Sequence, residues 1–254
     1  MTPFFEKTRK KVIMDVLKLK QFQDKIQYQF KNPMLLDTAL THSSYANEHQ
    51  LKKNENNERL EFLGDAVLEL ISSDVLFKAY PDKLEGILSK TRASLVCEPA
   101  LAYCARKIDL GVYLKLGKGE DHTGGRDRDS ILSDALEAII GSIYLDGGIE
   151  HARAFIMSFV LNDMENTRLF MDCKTILQEN VQSWSKEMLV YELIDTTGPE
   201  HNRTFTMQIR LGNSILGIGS GRTKQAAGQN AAYQSLLELR SKGLFKNKDE
   251  KICI

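Results

Sequence analysis

The stretch Asn57-Glu58-Arg59-Leu60-Glu61-Phe62-Leu63-Gly64-Asp65-Ala66-Val67-Leu68 sets three carboxylates inside an apolar run. At about 100° per residue, with Glu58 at zero, Glu61 falls near 300°, Asp65 near 340° and Phe62 near 40°. Leu60, Leu63, Val67, Leu70 and Ile71 fall between about 120° and 220°. The pattern predicts a helix over residues 57–80 with an acidic face and an opposite core face. A solvated helix face ordinarily mixes charge signs, because like charges three or four residues apart repel. An unmixed acidic face is either simply exposed or built to meet a cation.

The stretch Ser130-Ile131-Leu132-Ser133-Asp134-Ala135-Leu136-Glu137-Ala138-Ile139-Ile140-Gly141 repeats the device, with Asp134 and Glu137 three residues apart on one face of an apolar helix. Four or five oxygen donors from two helices suit a hard cation such as Mg²⁺ or Mn²⁺. They do not suit zinc, which takes Cys and His at short fixed spacings that this chain lacks. Clustered carboxylates with a divalent ion fit phosphodiester hydrolysis, in which the ion acidifies a water and neutralises charge building on the phosphate. The plain alternative is two amphipathic helices with acidic outer faces.

The 254 residues allow two modest domains, each with its own core. Basic and acidic residues balance at 34 each, which alone argues weakly against nucleic acid. The distribution says more. Residues 1–20 hold six Lys/Arg against Glu6 and Asp15, residues 172–254 hold eleven against nine acids, and the middle is net acidic. That arrangement fits an acidic site beside a mildly basic binding part. Cys97, Cys104, Cys173 and Cys253 are sparse and lack metal spacing. No apolar run reads as a leader or a membrane span, so a cytoplasmic protein with reduced thiols is expected.

From residue 12 to 161 the periodicity is helical, predicting an all-α domain with helices over 32–40, 57–80, 85–95, 98–107, 127–145 and 149–161. The polar, Gly-rich residues 118–129 read as a loop. Residues 162–171 read as a linker. Beyond them the pattern changes to a helix over 173–185, strands over 190–195, 204–210 and 214–220, and a helix over 223–240. This is an α+β (α-β-β-β-α) domain over 172–241, followed by a charged tail, 242–254.

The run 57–68 resembles the signature of the ribonuclease III family. Leu40-Thr41-His42-Ser43-Ser44-Tyr45, Glu85-Gly86 with Leu88-Ser89 and Arg92-Ala93, Gly117-Lys118-Gly119-Glu120 with Gly124-Gly125-Arg126, and Leu145-Asp146-Gly147-Gly148 extend the likeness along the chain. The second module resembles a double-stranded RNA-binding domain. The likeness rests on Lys174-Thr175-x-Leu177-Gln178-Glu179, Gly198-Pro199-Glu200-His201 and Gly217-x-Gly219-x-Gly221-Arg222-Thr223-Lys224-Gln225-Ala226-Ala227-Gly228. Such a domain reads A-form shape through 2′-hydroxyls and phosphates rather than bases. In it Thr175, Gln178 and Glu179 would face ribose, His201 the next minor groove, and Thr223 would cap a helix whose start, with Arg222 and Lys224, meets phosphate. The sequence departs from the usual pattern at Gln225, where a second lysine is expected, and at Gly228, where a glutamate is. Glycine there costs about 1 kcal/mol of helix propensity relative to alanine.

The resemblance implies an endoribonuclease that cleaves double-stranded RNA with Mg²⁺, or Mn²⁺ in its place, leaving 5′-phosphates and short 3′ overhangs. Its substrates would be ribosomal RNA precursors and some messenger and transfer RNA. The metal ligands would be Glu61, Asp65, Asp134 and Glu137, with Asp65 and Glu137 positioning the attacking water and Glu58 and Glu85 peripheral. Phe62 would enter the contact of a homodimer that carries one site per strand. Glu69 receives no role and reads as solvated, and His42 and Ser43 read as structural. The competing readings are a non-catalytic RNA-binding protein on the same fold, and a helical phosphohydrolase acting on small nucleotides. The intact carboxylates weigh against the first and the RNA-binding module against the second.

Overall fold

The computed structural model describes residues 17–52, 54–162, 169–170, 173–198, 203–221 and 223–245. The chain divides into two compact units, residues 1–164 and 165–254.

The described part of the first unit is helical: α1 (17–25), α2 (Pro33–Ala39), α3 (Ser43–Glu48), α4 (Glu58–Ala79), α5 (Glu85–Val96), α6 (Glu98–Lys107), α7 (Leu110–Tyr113), α8 (Lys118–His122), α9 (Asp129–Gly147) and α10 (Ile149–Phe159). Local chemistry sets several of the starts. The Asn32 side chain accepts the Met34 N–H at 3.1 Å, and Pro33 fills the first turn, where an N–H would have no partner. His42 caps α3 through Nδ1. Helix α9 is buried nearly all round, by Ile131, Leu132, Ala135, Leu136, Ala138, Ile139, Ile140 and Ile143. A helix apolar on most of its circumference must be enclosed, and α2, α4, α6 and α10 pack around it.

Helices α4 and α9 pack backbone against backbone. A Cβ on Gly64 would lie 1.8 Å from the Glu137 carbonyl oxygen, and a Cβ on Gly141 would lie 2.3 Å from the Leu60 carbonyl oxygen. Only hydrogen fits at either position. The buried residues of α4 are Leu60, Gly64, Val67, Leu68, Ile71, Ser72 and Leu76, centred near 250° on the wheel used above. The core face is therefore rotated from its expected place. Leu70, expected in the core, is 62% exposed. The expectation counted large apolar side chains, whereas the tightest packing follows the small residues Gly64 and Ser72.

Residues 118–129, expected as a loop, contain α8 and a 3₁₀ turn over Gly125–Asp127. Arg126 orders them. It donates Nε and Nη2 to Asp121 at 2.7 and 3.1 Å, and Nη1 to the carbonyls of Gly111 and Leu114 at 2.9 and 2.7 Å.

The second unit runs α11 (Cys173–Gln182), β1 (Leu189–Thr197), β2 (Thr204–Leu211), β3 (Ser214–Gly221) and α12 (Lys224–Ser241). The strands form an antiparallel sheet in the order β1-β2-β3, with Tyr191 opposite Ile209 and Ile209 opposite Gly217. Glycine at every second residue of β3 lets α12 lie against the strand backbone. A Cβ on Gly219 would come within 2.1 Å of the Ala231 amide nitrogen. Within the expected linker, Leu169 and Phe170 are helical, and Leu169 is buried in this second core. Within the expected tail, Phe245 packs against the same core, with the Arg240 guanidinium over its ring. Residues 246–254 lie outside the described residues.

Gly64→Ala should drive α4 off α9. Overpacking of this severity costs about 3 kcal/mol, lowering the first unit's unfolding midpoint by on the order of 10 °C. Thermal unfolding followed by circular dichroism checks this; an unchanged midpoint would mean the crossing is not tight.

Candidate active site

The N-terminal half of α4 and the first turns of α9 carry the acidic residues. The start of α4 is fixed by a short segment before α3: the Asn57 amide donates to the Thr41 carbonyl at 2.9 Å, and His42 N–H donates to Lys115 O at 3.1 Å. Nδ1 of His42 accepts from the Ser44 amide and lies 2.8 Å from the Ser44 hydroxyl, whose oxygen accepts the Gly117 amide at 2.9 Å. This is the structural role expected of His42.

The Gly64–Gly141 crossing then sets the geometry. Glu61 stands one turn before Gly64, and Glu137 one turn before Gly141. Ligand oxygens of Glu61, Asp134 and Glu137 lie within 4.8 Å of one another, each side chain half-buried. Asp65, expected as a fourth ligand, is exposed and outside that triad, yet near enough to raise the carboxyls of both Glu137 and Glu61. Glu58 is exposed and adds its charge to Glu61. Glu85 is exposed at the start of α5, accepting the Ser89 hydroxyl at 2.7 Å, and is not brought into the triad.

Burial raises all three carboxyls, and the charge of neighbouring carboxylates adds to the rise at Glu61 and Glu137. Burial, then the charges of Asp134, Glu58 and Asp65, raise Glu61 to about 7. Burial, then Asp65, Glu61, Asp134 and Glu69, raise Glu137 to about 8. Burial also raises Asp134, opposed by a hydrogen bond from the Ser133 hydroxyl and by His42. Three half-buried carboxylates this close are stable either protonated or around a cation. The triad offers only oxygen donors, without thiolate or imidazole, which fits a hard divalent ion.

Sequence reasoning missed two features. Gly64 and Gly141 are visible only as small residues on otherwise bulky helices. Glu69, read as solvated, pairs with Arg92 Nε of α5 at 2.7 Å, and Arg92 Nη1 donates to the Ser73 hydroxyl at 2.7 Å. Its partner lies 23 positions along the chain, so no helical spacing signals it.

In the second unit, Thr175, Gln178 and Glu179 are exposed along α11, and Lys224 is exposed at the start of α12. Thr223 caps α12, its hydroxyl accepting the Ala226 amide at 3.0 Å. His201 and Arg222 lie outside the described residues. Phe62, on α4, is 81% exposed.

The family described as Ribonuclease-III-like matches residues 32–164. Ribonuclease 3 of Caldanaerobacter subterraneus subsp. tengcongensis is 49% identical over 87% of this chain and 98% of that protein. The chain belongs to the ribonuclease III family. Ribonuclease 3 of Bacillus licheniformis is 47% identical over 87% of this chain and 90% of that protein. The family described as Double-stranded RNA binding motif matches residues 173–239. A solved nuclease domain of ribonuclease III from Campylobacter jejuni, described for structural flexibility in a region involved in dimer formation, matches with a TM-score of 0.53. It is 43% identical and covers 57% of this chain and 96% of that one. This family member is a double-stranded RNA endoribonuclease, with a helical nuclease domain followed by an α-β-β-β-α RNA-binding domain. Among the described residues, no helix is long and apolar enough to cross a membrane.

The raised Glu137 carboxyl gives a signed pH dependence. Its folded value, about 8, lies above the ordinary 4.5, so the stability it contributes is present below about pH 4.5 and is lost as pH rises through 8. Glu137→Gln, neutral throughout, should therefore melt above the unsubstituted protein in EDTA at pH 8.5, with the gap closing by pH 5. Allowing for solvent at the half-open rim, the gain is about 1–2 kcal/mol, or roughly 2–8 °C. A gap that does not vary with pH would remove repulsion as its cause.

Proposed function

We propose that this enzyme uses Mg²⁺, or Mn²⁺ in its place, held by Glu61, Asp134 and Glu137 with Asp65 at the rim. The observation that carries the reading is the half-buried oxygen triad at the α4–α9 crossing. When bound, the ion supplies an acidified water and neutralises charge on the scissile phosphate. Glu137 and Asp65 would orient the attacking water, and Glu61 and Asp134 would complete the hold on the ion. Glu58 and Glu85 stay peripheral, shaping the surroundings of the cut phosphate. The catalytic domain spans 12–161, and the RNA-binding domain runs to 241. Leu169 and Phe170 belong with the latter, because Leu169 is buried in its core.

The RNA-binding domain brings duplex to the site through ribose contacts from Thr175, Gln178, Glu179 and His201, and phosphate contacts from Arg222, Thr223 and Lys224. The enzyme works as a homodimer in the cytoplasm, on ribosomal RNA precursors and structured messenger and transfer RNA. It leaves 5′-phosphates and short 3′ overhangs. Among the described residues the chain has one such acidic constellation, so cutting both strands calls for a two-fold pair. Phe62, Leu70 and Phe77 support this as an exposed apolar stripe along one side of α4, 81%, 62% and 71% exposed. Isolated apolar residues are normal on a surface, whereas a continuous stripe marks a contact.

Glu137→Ala should abolish cleavage of a long RNA duplex in Mg²⁺ while leaving duplex binding intact, read by gel assay of both strands. Turnover at the unsubstituted rate would sink the metal assignment. Phe62→Asp should shift the mass in solution, measured by light scattering, toward a single chain. A dimer mass that stays put would take Phe62 out of the interface.

A further inference from the structure

Gly228, in the second turn of α12, is buried, and the end of Lys174 lies over it. A Cβ at Gly228 would stand 3.5 Å from Lys174 Nζ and 3.7 Å from its Cε. These are ordinary contact distances. They differ from those at Gly219, where a Cβ would meet backbone at 2.1 Å. Packing therefore requires glycine in β3 but not at position 228. The missing side chain has an electrostatic consequence instead: nothing at 228 captures the ammonium. Among the described residues, no acidic group pairs with Lys174.

The stem of Lys174 is well placed. It is the second residue of α11, whose first turn is pinned to α12. Cys173 Sγ donates to the Gln229 carbonyl at 3.3 Å, and just ahead of α11 the Phe170 carbonyl accepts from Gln229 Nε2 at 2.6 Å. Lys224 stands four residues before Gly228, hence on the same face of α12, and is exposed. Thr175 and Gln178 are exposed beside Lys174 on α11. Two cations from two helices thus face one side of the domain, where Gln225 contributes no charge.

We propose that Lys174 is a phosphate-contacting residue of the RNA-binding domain, its ammonium presented over Gly228 and acting with Lys224 on the duplex backbone. This rests on the double-stranded RNA-binding reading of residues 173–239. A lysine to phosphate contact releases one counterion, so it appears in the salt dependence of binding rather than in sequence preference.

The test is duplex RNA binding by the full chain in EDTA, which prevents metal-assisted cutting, across a series of KCl concentrations. Lys174→Gln should reduce the slope of log affinity against log salt by about one and weaken binding several-fold at moderate salt. Lys174→Arg should keep the slope, separating charge from folding. Gly228→Glu should reduce the slope as well, and less than additively with Lys174→Gln, because the new carboxylate acts by pairing with Lys174. Gly228→Ala should raise the melting point and leave the slope alone. An unchanged slope in Lys174→Gln, or full additivity with Gly228→Glu, would overturn the proposal. An unsubstituted chain without measurable duplex affinity would instead overturn the RNA-binding reading itself.

Discussion

Two helix backbones meet at Gly64 and Gly141, and the acidic site depends on that contact. Ordinary helix pairs stand 8–10 Å apart, separated by their side chains. Here a carbonyl of each helix occupies the space a β-carbon would need on the other. Glu61 and Glu137 each lie one turn before the glycine of their own helix, so the contact that joins the backbones also joins these carboxylates. Asp134 lies three residues before Glu137 and enters the same cluster. Widening the crossing by one methyl would leave every ligand in the sequence and break the arrangement between them.

The contact also sets the electrostatics. Burial is the first cause of the raised carboxyls of Glu61, Asp134 and Glu137, and mutual repulsion follows for Glu61 and Glu137. Charge around the triad is partly managed. Arg92 of α5 pairs with Glu69, whose charge otherwise adds to the load on Glu137, and His42 favours the charged form of Asp134. The domain thus keeps an electrostatic cost at the half-buried triad, one that a bound cation would relieve. Another side of α4 carries the exposed Phe62, Leu70 and Phe77, so a single helix presents a carboxylate of the triad on one side and exposed apolar side chains on another.

Much of this was legible in the chain. The two acidic helices, the order of the α-β-β-β-α module and the cap at Thr223 follow from local patterns, because a carboxylate inside an apolar repeat and a hydroxyl before a helix leave marks within a few residues. What was not legible depends on distant partners. The core face of α4 was misplaced, with Leu70 put inside it, because a helical wheel weighs side chains and gives no weight to the glycine where a neighbour comes closest. The order within residues 118–129 comes from Arg126 reaching the carbonyls of Gly111 and Leu114. The role of Glu69 comes from Arg92, and the packing of Phe245 from a core assembled by the whole second unit. Asp65 stands four residues from Glu61, a spacing that puts both on one helix face but does not by itself say which carboxylates draw together across two helices.

The central claim is that close packing of α4 on α9 creates one cation site from carboxylates that hold protons until the ion arrives. Calorimetric titration of the metal-free protein with Mn²⁺ at pH 7, in two buffers of different ionisation enthalpy, counts the protons released as the ion binds. With Glu61 raised to about 7 and Glu137 to about 8, release of between about one and two protons per ion is expected, falling toward zero by pH 9.5. Binding at pH 7 with the same heat in both buffers, and so without proton release, would contradict it.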